Sequence, residues 1–485
     1  MRELVAIILA AGQGTRMYSG LPKVLHSVAG QPMLDHVLEA IEALEPKTIY
    51  VVTGFMADAV QAHVGKRAVC VRQEKRLGTA HAVKQVAPLL ADFRGDVLVT
   101  VGDAPLIKTE TLRDLVKRRR SHQVAATVLT TELQSPMGYG RIVRNRDGTV
   151  HKIVEEKDTN TYEVAIQEVN TGIYVFDGQK MLAALRKVGN KNVQKEYYLT
   201  DTIEILNQFG DEVEPVVAPD SKETMGVNSR AELALAESYL RRRIANAVMD
   251  QGVTVIDPST TYIDKQVRLG RDTVIQPFTI LQGKCDIGER CEIGPNAHII
   301  DSVVGDDCTM RICSMEQVKI GNKVRVGPYA SIRPGTRIAD GSRIGTFVEI
   351  TRSEIGQNAD ILHLSYLGDA TIGDRTSIGT ASVTVNFDGS RKHPTRVGDD
   401  VFLGSHTSLV APVDIPSGIR FAHNQQLAGK ITPDGNGFAA APEPKTEKLR
   451  SARTTKTAKI PTAKTSAAKA KTPAISKKKP KNSLP

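Results

Sequence analysis

The sequence predicts a doubly wound α/β domain followed by a parallel β-helix built from hexapeptide repeats. Three observations carry this. Short, continuous apolar runs alternate with helical patterns over residues 1–230. Beyond residue 260, apolar residues recur every six positions. Between the two regions, residues 229–250 run without Gly or Pro. The bulk composition agrees: 485 residues make about three domains at ~150 residues each. Hydrophobics at 40% and charged residues at 24% fit a folded chain. With no Trp and only 4% aromatics, the core must close with Val, Ile, Leu and Ala.

Taken in order, Val5–Leu9 is the first strand, and it runs into Gly12 and Gly14. Met33–Leu44 has helical spacing. Thr48–Val52, Val69–Val71 and Asp96–Val101 are further strands, the last ending at Gly102-Asp103. Continuous apolar strands alternating with helices predict a mostly parallel sheet buried on both faces. Such sheets bind ligands beyond the carboxyl ends of their strands, where Gly12–Arg16 and Asp103 fall. Ser229 with Glu232 three residues on predicts a capping box opening one long linker helix.

The six-residue period runs through Ile263, Leu269 and Ile275, through Ile287, Ile293 and Ile299, and on from Ile320 to Ile350. It resumes at Ile355, Ile361 and Leu367, again at Ile372 and Ile378, and then from Val397 to Leu427. Period six fits neither a helix nor a simple strand. It makes one flat side of a triangular coil per hexad, each coil burying its face on the next. Arg311–Gln317 lacks the pattern, and the break at Asn386–Pro394 predicts a protruding loop. The expected organisation is therefore 1–228, a linker helix at 229–250, the β-helix at 251–432, and a tail at 433–485.

The net charge of +10 belongs to that tail. Thirteen Lys/Arg and one acid lie between Lys445 and Pro485, which leaves residues 1–444 at about −2. The body is thus not a nucleic-acid binder by charge. The tail is expected to be disordered and able to contact polyanions. Cys70, Cys285, Cys291, Cys308 and Cys313 show no metal-ligand spacing and read as reduced thiols of a cytoplasmic protein. No apolar run approaches the ~20 residues that span a bilayer. Glu3 argues against a signal peptide.

The strongest motif is Leu9-Ala10-Ala11-Gly12-Gln13-Gly14-Thr15-Arg16-Met17 followed by Leu21-Pro22-Lys23. Backbone N–H groups of such a loop can cradle phosphates, and two cations can neutralise charge developing in phosphoryl or nucleotidyl transfer. No GK[ST] follows, so it is not a Walker A loop, and it lacks the third Rossmann glycine. With Gln73, Gly78-Thr79-Ala80-His81-Ala82, Val101-Gly102-Asp103, Gly138-Tyr139-Gly140-Arg141, Glu155, Asn170-Thr171-Gly172 and Gly226-Val227-Asn228 in order, the chain resembles the sugar-nucleotide pyrophosphorylases. The attached hexapeptide helix narrows the resemblance to the bifunctional N-acetylglucosamine-1-phosphate uridylyltransferase / glucosamine-1-phosphate acetyltransferases over residues 3–430.

That resemblance implies a nucleotidyltransferase domain joined to a left-handed β-helix, in a homotrimer. The expected product is UDP-N-acetylglucosamine for peptidoglycan synthesis, with acetyl-CoA and UTP as co-substrates and Mg²⁺ as the metal. Leu9, Ala10, Ala11, Gly12, Gln73, Gly78 and Thr79 would hold the uridine end. Arg16 and Lys23 would hold the triphosphate, Asp103 and Asn228 the Mg²⁺, and Gly140, Glu155 and Asn170 the sugar. Read from the residues alone, Asp103 and Asn228 could instead cap helices, and Glu155 could be a solvated surface acid.

In the second domain, the resemblance makes His363 the base of acetyl transfer, with Glu349 orienting it. Arg333 would bind the sugar phosphate, Tyr366, Asn386 and Phe387 the sugar, and Ser405 the CoA side. Departures from the family pattern are Thr351 for Lys, Ser377 for Asn, Thr380 for Ala, Phe387 for Tyr, His423 for a small residue and Ala440 for Arg. Two other readings stay open here. One keeps uridylyl transfer alone, with the β-helix a trimerisation scaffold. The other makes the β-helix and tail a module for an acidic partner.

Overall fold

The computed structural model describes residues 2–432; the tail expectations and Ala440 lie outside these. The first half contains strands β1 (Leu4–Ala10), β2 (Thr48–Thr53), β3 (Val69–Arg72), β4 (Asp96–Val101) and β5 (Ala126–Glu132). These are followed by β6 (Arg141–Arg144), β7 (Val150–Val154), β8 (Glu168–Asp177) and β9 (Val213–Val217). Helices α1 (Met33–Glu42), α2 (Ala57–Val64), α3 (Thr79–Val86), α4 (Thr109–His122), α5 (Gly178–Leu185) and α6 (Asp201–Gln208) accompany them. The sheet order is β9-β5-β8-β4-β1-β2-β3, with the β6–β7 hairpin attached to β8. The contacts of β1 with β2 and β4 are parallel, while β8 runs antiparallel to its neighbours.

This order places the ligand site. From β1 the chain builds outward through β2 and β3, then returns to lay β4 on the other side of β1. The loops leaving β1 and β4 therefore part in opposite directions and open a crevice at their carboxyl ends. Every residue of β1 except Leu9 is buried, because helices cover both faces of the sheet. At the opposite end of β4, Asp96 is fully buried among Arg119 (2.5 Å), Arg120 (2.6 Å) and Arg2 (3.2 Å). These ion pairs pin α4 to the sheet.

Helix α7 (Arg230–Asp250) follows. Ser229 caps it by accepting from the Glu232 N–H. The capping box closes one residue earlier than expected: the Glu232 carboxylate accepts the N–H of Asn228 (2.6 Å), not that of Ser229. The junction is tight. Ala29 donates its N–H to Glu237, and Lys265 its own to Ala29 O.

The second half is a prism of parallel ladders. One side stacks Ile275, Ile293, Met310, Val326, Ile344, Ile361, Ile378 and Leu403 in register. The coil pattern does not lapse at Arg311–Gln317. Cys313–Glu316 is a strand, and Met310 and Met315 point inward, wholly buried. Two consecutive sides there are five residues long instead of six, from Met310 to Met315 and from Met315 to Ile320, which hides them from a six-residue template. The loop expected at Asn386–Pro394 does leave the coils, as a hairpin bridged by Phe387 and Lys392. Four of the five cysteines are core residues of the prism.

The coil corners take left-handed backbone, and along one of them the residues are apolar. Tyr329, Phe347 and Leu364 (φ 58, 57 and 50°) are 56–57% exposed. The Tyr329 and Phe347 rings stack at 5.2 Å.

Candidate functional site

The crevice at β1 and β4 is a cleft of about 280 Å³ lined by Leu9–Gly12, Lys23, Gln73, Gly78, Thr79 and Asp103, with Arg76 and Glu196 at its sides. Gly14 shapes it. Its φ is +64°, and a Cβ there would lie 2.8 Å from Lys23 Cβ, so a glycine lets the loop pack on the lysine stem. A Cβ on Gly12 would meet nothing within 4 Å, so that backbone faces open cleft. Gly78 (φ +110°) sits so close to Tyr197 that a Cβ would lie 2.4 Å from its carbonyl oxygen.

The charges converge. The Lys23 ammonium is ion-paired to Asp103 Oδ2 and donates to Asn228 Oδ1 at 2.9 Å. The Val227 N–H bonds to Asp103 O (2.9 Å), which ties the two loops together. Asp103 and Asn228 therefore both aim an oxygen at one cation, and neither side chain caps a helix. Gln73 is 4% exposed and spends its Nε2 on Gly78 O (3.2 Å) and His81 Nδ1 (3.0 Å), which leaves Oε1 for a ligand.

A second cluster adjoins this cleft. Asn170 donates its N–H to Gly140 O (2.8 Å), and its Oδ1 accepts from Gly172 at a bulge in β8. Glu155 accepts from Thr200 Oγ1 (3.0 Å) and is not a solvated surface acid. Burial pushes its carboxyl up, aided by nearby Asp158 and Glu196. Burial, with Glu155 beside it, pushes Asp201 up to about 6. Arg16 stands apart, exposed on a short 3-10 turn, with no ion pair or side-chain hydrogen bond among the described residues. The sequence reasoning missed Arg76 and Glu196. Only the tertiary fold brings the 192–200 loop across to the Gly78 turn.

On the prism, His363 ends one side in register with Thr346, and Tyr366 lies in register with Glu349. The structure gives Glu349 to Arg333 (3.0 Å) and not to His363. The Glu349 carboxylate and the Arg333 guanidinium neutralise each other directly, and the exposed His363 ring has no hydrogen-bond partner among the described residues. Asn386 donates to Asp369 (2.6 Å), and Phe387 stands 54% exposed on the protruding hairpin. The N–H of Ser405 donates to His423 Nδ1 (2.9 Å), so the imidazole covers that turn. Ser377 is in register with Asp360, and Thr380 O accepts from His406.

The fold and the cleft define a nucleotidyl transferase joined to a hexapeptide transferase. The nucleotidyl transferase family model matches residues 5–223, and the bacterial transferase hexapeptide model matches 266–301 and 317–352. The chain is 45% identical over 441 residues to the bifunctional protein GlmU of Geobacillus sp. (strain WCH70), covering 91% of this chain and 96% of that one. It is 44% identical to the bifunctional protein GlmU of Brevibacillus brevis (93% and 97% covered) and 45% identical to that of Streptococcus agalactiae (84% and 89%). The chain belongs to the GlmU family of bifunctional enzymes. Its two activities, acetyl transfer to glucosamine-1-phosphate and then uridylyl transfer to N-acetylglucosamine-1-phosphate, make UDP-N-acetylglucosamine. No helix among the described residues is long and apolar enough to cross a membrane.

Proposed function

We propose that residues 1–228 carry uridylyl transfer, 251–432 carry acetyl transfer, and 229–250 join them, in a cytoplasmic homotrimer. The observation behind the first assignment is the convergence of Asp103 and Asn228 on the Lys23 ammonium. One carboxylate and one amide oxygen suit Mg²⁺, which keeps several waters and takes phosphate oxygens for the rest. Bound there, Mg²⁺ would neutralise charge on the phosphates. Lys23 and Arg16 hold the triphosphate while an oxygen of the sugar phosphate attacks the α-phosphorus and pyrophosphate leaves. No general base is needed, so positioning and charge supply the rate. Gln73 has only an acceptor to offer, which suits the imide N–H of uracil and rejects the ring nitrogen of cytosine. Leu9–Gly12, Gly78 and Thr79 wall the nucleoside end. Gly140, Glu155 and Asn170 hold the sugar.

On the prism, His363 takes the amine proton as nitrogen attacks the thioester carbon of acetyl-CoA, and the CoA thiolate leaves. Arg333, Tyr366, Asn386 and Phe387 hold the sugar phosphate, with Ser405 toward the CoA. The exposed apolar corner at Tyr329, Phe347 and Leu364 supports a trimer packed along the prisms, since large exposed apolar patches mark association surfaces. One assay tests the two activities: glucosamine-1-phosphate, acetyl-CoA, UTP and Mg²⁺, with thiol and pyrophosphate followed together. Asp103→Ala should abolish pyrophosphate release alone when N-acetylglucosamine-1-phosphate is supplied. His363→Ala should abolish thiol release alone. Loss of both signals in either variant refutes the division of labour.

A further inference from the structure

Three successive coils place Arg333–Pro334, Thr351–Arg352 and Gly368–Asp369 one above another. Arg352 donates its N–H to Pro334 O (3.3 Å), and Asp369 its own to Thr351 O (3.2 Å). Asn386 reaches down onto Asp369 from the coil above (2.6 Å). Within this column the Arg352 guanidinium is held in one plane. Its Nε and Nη2 bond Asp369 at 2.6 and 2.9 Å, and its Nη1 bonds Thr351 Oγ1 at 3.0 Å. Thr351 is 4% exposed, so its hydroxyl is a fixed acceptor. The Tyr366 hydroxyl bonds the guanidinium as well, so four of its five N–H bonds are used and one is left over, on a side chain 42% exposed.

The neighbours make this a site. A Cβ on Gly368 would lie 2.5 Å from Tyr366 Oη and 2.6 Å from Asn386 Nδ2, so a bare backbone lets both polar groups converge beside the guanidinium. The charges do not cancel. Arg333 pairs with Glu349, and Arg352 with Asp369. Lys392, across the hairpin from Phe387, adds its field at Asp369. Three cations face two carboxylates, and the excess suits an anion. A planar, preorganised guanidinium suits phosphate in particular.

We propose that Arg352 binds the phosphate of the amino-sugar phosphate in the acetyl-transfer site, and that Thr351 aims it. This rests on the acetyl-transfer reading above. Position 351 departs from the resemblance by lacking a cation, and the next residue supplies one from the same edge, held by the Thr351 hydroxyl.

The test uses the full-length protein, with thiol release measured against glucosamine-1-phosphate and against glucosamine without phosphate. Arg352→Ala should raise KM for the phosphorylated amine about tenfold to a hundredfold, the range of a lost charge-assisted bond. It should leave KM for phosphate-free glucosamine and the rate of uridylyl transfer unchanged. Arg352→Lys should recover part of the loss, and Thr351→Val should raise KM by a smaller factor. If Arg352→Ala does not fold, Arg352→Gln removes the charge and carries the same expectation. An unchanged KM, or an equal rise for both amines, overturns the proposal. If the parent releases no thiol, the acetyl-transfer reading fails by itself. Calorimetric titration with glucosamine-1-phosphate then decides: binding to the parent that Arg352→Ala abolishes supports Arg352, and equal or absent binding overturns it.

Discussion

Replacing Lys23 with Met should raise metal affinity and lower turnover. Lys23 holds both oxygens assigned to the metal, Asp103 Oδ2 and Asn228 Oδ1. Its side chain is 12% exposed and that of Asp103 is 17%, so the pair is partly desolvated and only weakly screened. A hydrogen bond to a charged group in such a place is worth about 1.5–3 kcal/mol. A divalent ion entering the cleft must displace it and then sit beside the ammonium. Lys23→Met removes both costs. With about 1.4 kcal/mol per factor of ten, the Kd for Mn²⁺ without nucleotide should fall roughly tenfold to a hundredfold. Pyrophosphate release should fall at least as far, because the triphosphate loses its buried cation. Electron paramagnetic resonance of free Mn²⁺ measures the first, and a coupled pyrophosphate assay the second. Asp103→Asn in the Lys23→Met background should abolish the tighter binding. Unchanged or weaker Mn²⁺ binding in Lys23→Met would refute the shared-oxygen reasoning.

Asp96→Asn should cost about 3–5 kcal/mol in urea unfolding, because it strands the buried Arg119. Turnover per folded molecule should hold, since Asp96 lies at the far end of β4 from the cleft. Asp201 titrates in the fold at about 6, raised chiefly by burial and then by Glu155. The native state binds its proton more tightly than the unfolded chain does, so its stability cost is absent near pH 3.8 and grows as pH rises through about 6. Asp201→Asn should therefore gain about 1 kcal/mol over the parent at pH 8, after allowance for partial solvation, and the gain should vanish by pH 4; thermal unfolding at both pH values checks it. Phe347→Asp should shift the sedimenting species from a trimer to a single chain, and an unchanged trimer would locate the contact elsewhere.

What was readable in the sequence was what a local pattern could carry. The strand Asp96–Val101 is found at the expected residues because a strand buried on both faces leaves no charged residue between its ends, only the buried Thr100 hydroxyl. The hexads were visible wherever a coil side holds six residues, and were lost from Ile299 to Ile320, where sides of five residues break the count. Lys23, Asp103 and Asn228 were found together because each follows a strand or precedes a helix in a recognisable motif. Pairings between separate coils were not readable. Nothing local says that Arg333 takes Glu349, that His423 covers Ser405, or that Arg352 stands where a lysine was expected one residue earlier. The stacking that decides these contacts joins residues sixteen to eighteen positions apart.

That stacking also gives the edge proposed for acetyl transfer a graduated scale. Arg333, Arg352, Asp369 and Asn386 sit on four consecutive turns of the prism, and parallel strands repeat every ~4.8 Å. A ligand held on that edge, as proposed, would be read over about 14 Å, one rung at a time. Because successive turns stack as parallel ladders, inserting a whole turn between Arg352 and Asp369 would lengthen the gauge by one division and leave every side chain facing as before. Inserting a single residue would turn the faces over. Ligand length on such an edge can change only in whole steps.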